Sequence, residues 1–61
     1  MDSKTIHELM QRKTPVFYDG VRYDRILEYI SWYDQLGKHN LSVVLIRGKS
    51  TIRVLADKIS I

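Results

Sequence analysis

Asp24 to Leu36, DRILEYISWYDQL, is the stretch whose reading decides the fold. Tyr23, Ile26, Leu27, Ile30 and Tyr33 recur at helical spacing, Asp24 could cap such a helix, and Gly37 could end it. Composition points the other way. Ile26, Tyr29, Ile30, Trp32 and Tyr33 are strand formers, and the stretch has no alanine. As a strand, one face would hold Ile26, Glu28, Ile30 and Trp32, the other Leu27, Tyr29, Ser31 and Tyr33. Such near-continuous apolarity suits a bent strand buried on both sides. The stretch therefore reads as a strand. Arg25 fits poorly on the inward parity set by Tyr23, which places a bulge near 24–25. The alternative is a helix over 24–36 packed on two β-hairpins.

The flanks are simpler. Before the stretch, VFYDGVRY (16–23) reads as a hairpin, because Asp19-Gly20 suits a type I′ turn with positive φ at both positions. Val16 then pairs with Tyr23, Phe17 with Arg22, and Tyr18 with Val21. Val16, Tyr18, Val21 and Tyr23 share one face, while Phe17 and Arg22 form an outer cation–π pair. After a loop at 35–40, residues 41–56 read as a second hairpin around Gly48-Lys49. Arg47 pairs with Ser50, Leu45 with Ile52, Val43 with Val54, and Leu41 with Ala56. Leu41, Val43, Leu45, Ile52, Val54 and Ala56 point inward, and a one-residue slip would turn polar groups inward. The outer face mixes Ser42, Thr51 and Arg53 with Val44, Ile46 and Leu55, so it needs a cover. Residues 3–13 read as a helix. Thr5 and Glu8 fit a capping box, or Ser3 caps instead. Ile6, Leu9 and Met10 form its apolar stripe, and Pro15 ends it.

Composition bounds the rest. Sixty-one residues make one domain with a marginal core, too short for a nucleotide-binding βαβ sheet or a large active-site cleft. With 44% hydrophobic residues the chain is not composed like a disordered one. Cysteine is absent, so no disulfide or thiolate zinc site staples it. The longest apolar run, Val43 to Ile46, is far below a membrane span, and no apolar signal region opens the chain. A cytoplasmic protein without membrane contact is the expectation. Residues 1–34 carry five basic and six acidic side chains, residues 35–61 five basic and one acidic.

A helix followed by strands near 16–19, 21–33, 41–47, 50–56 and 58–61 resembles the small barrels called SH3-like or Sm-like. The nearest local resemblance is to the Sm family, bacterial RNA chaperones included. A short helix runs into Thr14-Pro15-Val16, a strand reaches Asp19-Gly20, a long strand runs toward Asp34-Gln35, and Lys58-Ile59-Ser60 closes the chain. The resemblance implies a mostly β barrel of about five strands with an N-terminal helix, and a late strand that closes a subunit ring. The chain departs from the pattern where Arg25 replaces the usual second-strand glycine and Ala56-Asp57-Lys58 replaces the Tyr-Lys-His signature. The family's base-reading residues therefore do not carry over.

Little points to catalysis. His7 and His39 lack partners at metal-ligand spacing, and Ser31, Ser42, Ser50 and Ser60 lack a nucleophile context. Arg47-Gly48-Lys49-Ser50-Thr51 mimics the tail of a phosphate loop, but Val43 stands at its first glycine and strand follows. Asp24, Glu28 and Asp34 have no converging partners. A non-enzymatic binding module without cofactor is the expectation. One version binds RNA or single-stranded DNA through Lys38, Arg47, Lys49, Arg53 and Lys58, with Trp32, Tyr33 or Phe17 for stacking. The other is a protein-interaction or self-assembly module, giving a homo-oligomer through Val44, Ile46 and Leu55, unless the N-terminal helix covers that face.

Overall fold

The computed structural model describes residues 2–61. The deciding stretch is extended: β3 spans Arg25–Tyr33. It follows α1 (Ser3–Arg12), β1 (Val16–Tyr18) and β2 (Val21–Tyr23), and precedes β4 (His39–Arg47), β5 (Ser50–Leu55), a 3₁₀ turn at Ala56–Lys58 and β6 (Ile59–Ser60). The strands form two antiparallel sheets ordered β2-β1-β6 and β3-β4-β5.

α1 starts at neither expected cap. Asp2 is the N-cap, and its carboxylate accepts the Thr5 amide at 2.8 Å. Lys13 ends the helix in the left-handed region at φ 55°, its amide bonded to the Leu9 and Met10 carbonyls. Ile6 and Leu9 are buried, and Met10 packs beside them.

The first hairpin has the expected register, Val16 opposite Tyr23, Phe17 opposite Arg22 and Tyr18 opposite Val21. Asp19 and Gly20 both take positive φ, 52° and 75°, as a type I′ turn requires. Arg22 does not turn to Phe17; its guanidinium lies 3.8 Å from the Asp24 carboxylate. The second hairpin pairs Arg47 with Ser50, Leu45 with Ile52 and Val43 with Val54. Its ladder stops at Ser42–Leu55, so the expected Leu41–Ala56 pair is replaced by the 3₁₀ turn, which still buries Ala56.

The bulge lies two residues past its expected place, between Ile26 and Glu28. Its effect is to reverse phase. Ile26 lies opposite Leu45 on the core side; without an extra residue Glu28 would share that side. With Leu27 inserted, Glu28 moves out opposite Val44, and Tyr29 comes in opposite Val43. The strand's faces therefore differ from simple alternation: Ile26, Tyr29, Ser31 and Tyr33 lie on one side, Arg25, Glu28, Ile30 and Trp32 on the other.

The expected closed barrel does not form. Closure would require the last strand to pair with β5, but β6 is two residues long and pairs only with β1, through Phe17–Ser60 and Tyr18–Ile59. The two sheets meet instead through Asp24, which joins β2 directly to β3 and donates its amide to the Ile46 carbonyl at 2.7 Å. A mostly β architecture with one helix is observed. As a class α+β also fits, although the stretch that this alternative made helical is β3. The core gathers Ile6 and Leu9 from the helix, Val16 and Ile59 from the short sheet, Ile26, Val43 and Leu45 from the long sheet, and Ala56.

Candidate functional site

The candidate site is built on β3, β4 and β5. The helix decides which face of this sheet is free. Ile6 and Leu9 share the core with Val43 and Leu45, and the His7 ring meets Tyr29 edge-on at 4.9 Å. All three of these strand residues are on the inward face. The helix therefore lies on the side opposite Val44, Ile46 and Leu55, and does not cover them.

The outer face follows row by row from the register. Arg25, Ile46 and Thr51 form one row; Glu28, Val44 and Arg53 the next; then Ile30, Ser42 and Leu55; then Trp32 and Asn40. Val44, Ile46, Ile30 and Trp32 are half-buried, shaded by their neighbours, while Leu55 is 41% exposed. Ser42, a polar side chain only 3% exposed, is satisfied by the Trp32 indole Nε1–H at 2.8 Å. The Arg53 guanidinium lies 5.9 Å from the Trp32 ring centroid, at the outer reach of a cation–π contact. Among the described residues Glu28 and Arg53 make no ion pair, and the one ion pair is Arg22–Asp24. Sequence reasoning missed Ile30 and Trp32 as members of this surface, because their side depends on where the bulge falls.

The five basic residues do not converge. Lys38 lies at the far end of the β3–β4 hairpin, and Lys58 in the 3₁₀ turn near that end. Arg47 and Lys49 flank the β4–β5 turn at the opposite end. The nine residues of β4 separate the two ends by about 27 Å. Arg53 alone sits mid-face. Of the stacking candidates, Tyr33 is exposed but faces His39 on the inward side at 5.0 Å, and Phe17 belongs to the other sheet.

The remaining polar groups organise the chain. Asp34 accepts the Leu36 and Lys38 amides, both at 2.9 Å, and the Asn40 Nδ2 at 3.3 Å. The hydrogen bond from the Lys38 backbone, helped by those from Asn40 and Leu36, holds its carboxyl below the ordinary aspartate value of 3.8. Asp24 accepts the Gly48 amide at 2.9 Å, so the turn that resembles a phosphate loop already holds a carboxylate of its own chain, and strand follows it. His39 is hydrogen-bonded to Ser31 at 2.5 Å. No group of three or more His, Cys, Asp or Glu gathers at metal-binding distance among the described residues. An open depression of about 240 Å³ between the hairpin end and the 3₁₀ turn carries Lys38 and Asp57 on its walls. No described helix is long and apolar enough to cross a membrane.

No protein-family model matches the chain, and neither the curated proteins compared with it nor the solved structures contain a match.

Proposed function

We propose that this protein is a non-enzymatic binding module whose interaction surface is the outer face of the β3-β4-β5 sheet, and that this surface takes protein. The observation that carries the reading is the side on which α1 docks. It buries the inward face and leaves Ile30, Trp32, Val44, Ile46 and Leu55 on a face that no other element among the described residues packs against. A contiguous apolar stripe rimmed by charge is the composition of a docking surface. The strand order supports an open variant of the Sm-like outline, since β6-β1-β2 runs through Asp24 into β3-β4-β5.

Nucleic acid is less well served. Phosphate contacts need clustered cations, and here they are split between two ends of the sheet, with Glu28 in the same row as Arg53, the one of the five near its centre.

Two measurements test the reading. At low micromolar protein, Ile46→Thr should cost about 1 kcal/mol or less, since Ile46 is half-buried and Thr retains β-branching. Leu45→Thr, one residue away and fully buried, should unfold the chain or cost about 2–5 kcal/mol. Equal costs would show the outer face to be core and overturn the proposal. In the second, about 50 µM protein should leave a mixed RNA and single-stranded DNA pool unbound at low salt; binding with a steep salt slope would restore the nucleic-acid reading.

A further inference from the structure

Resting on that reading of the face, we infer that its occupant is a second copy of this chain, packed face to face about a twofold axis. Charge complementarity points to this occupant. Glu28 and Arg53 occupy the two outer strands of a single row, on either side of Val44. A twofold axis running along β4, above Val44 and Ile46, exchanges the two outer strands. It therefore sets Glu28 of one copy over Arg53 of the other, twice, with Val44 and Ile46 meeting their own counterparts. In the same operation Ile30 lies over Leu55, and Arg25 over Thr51. Each of these three rows then meets a compatible row, and no like charges face each other in them.

The geometry tolerates the natural splay of packed sheets. Glu28 and Arg53 are each one interstrand spacing, about 4.8 Å, from the axis, so a rotation of about 30° displaces them by less than a side-chain length. Arg53 is prepared for the role. Its guanidinium lies over the Trp32 ring with no carboxylate of its own, which leaves N–H groups for an incoming Glu28. The contact is isologous, so it closes at two copies and does not propagate. Its extent is small: two strands of nine residues and one of six present roughly 400 Å² per copy, below the total of about 1,000 Å² that specific interfaces usually clear, so the dimer is a weak one.

The test uses the whole chain and two single variants, Glu28→Arg and Arg53→Glu. Both positions are exposed, and circular dichroism checks that both variants fold. Sedimentation velocity should show wild type passing from monomer to dimer with concentration. Each variant alone should stay monomeric, since the first presents only basic side chains at the two positions and the second only acidic ones. Mixed in equal amounts they should form a heterodimer, because the basic pair of one copy then faces the acidic pair of the other and both contacts across the axis are complementary. Affinity at least tenfold tighter in the mixture than in either variant alone is the expected result. A wild type that remains monomeric to about 1 mM, where even a millimolar dimer would be populated, would overturn the second-copy assignment, as would variants that dimerise like wild type or a mixture that gains nothing. The outcomes separate from those of the underlying reading. A monomeric wild type with an Ile46→Thr much milder than Leu45→Thr removes the self-pairing alone, whereas an Ile46→Thr as costly as Leu45→Thr removes both.

Discussion

Asp34 shows how one side chain organises a loop in this protein. Its carboxylate takes three donors from the connection between β3 and β4 and the start of β4, and its own amide donates to the Lys38 carbonyl at 3.0 Å. Because these bonds favour the ionised form, its folded pKa lies below 3.8. The resulting contribution to stability is fully present above the unfolded pKa, and it is lost as pH falls through the lowered folded value. An NMR titration of the Asp34 carboxyl should give a midpoint below 3.8, with the Lys38 amide shifting at the same midpoint. A midpoint at or above the ordinary value would show that the loop does not depend on this group. Asp2 acts in the same direction at the start of α1, through the Thr5 amide. Its role is not legible in the sequence, because Ser3 and Thr5 are equally good caps by type; only the backbone geometry chooses among them.

At the scale of elements, the single residue Leu27 decides which side chains of β3 belong to the core. Deleting Leu27 should force a choice between losing the Ile26–Leu45 alignment and turning Glu28 inward, and either should unfold the chain, as read by loss of its cooperative thermal transition. A deletion variant that melts like wild type would show the bulge to be incidental. Both hairpin registers could be read from the residues, because Asp19-Gly20 and Gly48-Lys49 set the turns and the alternation of Val43, Leu45, Ile52 and Val54 permits only one phase. The extended state of 25–33 was likewise legible from its aromatic and β-branched content. The bulge position was not, since Arg25 and Glu28 are both polar residues in an apolar run and either could mark the phase change. Failure of closure was illegible too. It depends on β6 being two residues long and on the 3₁₀ turn that takes Ala56 out of the ladder, neither of which alternation reveals. Of the candidate site, Val44, Ile46 and Leu55 could be read as one face, but the helix's side could not, because a three-residue stripe fits either surface of a sheet.

For the whole molecule, the proposal is that a small chain with a one-sided core leaves its second sheet face for another copy of itself. Small domains bury a limited fraction of their surface, and pairing the outer faces adds buried apolar area without lengthening the chain. Dilution from about 1 mM to about 10 µM, followed by two-dimensional ¹⁵N–¹H NMR, covers dimers that dissociate in the micromolar to millimolar range. Self-pairing predicts concentration-dependent shifts at Glu28, Ile30, Val44, Ile46 and Arg53, with α1 and β6 unmoved. Spectra that do not change over that range, or shifts confined to α1 and the β2-β1-β6 sheet, would contradict it.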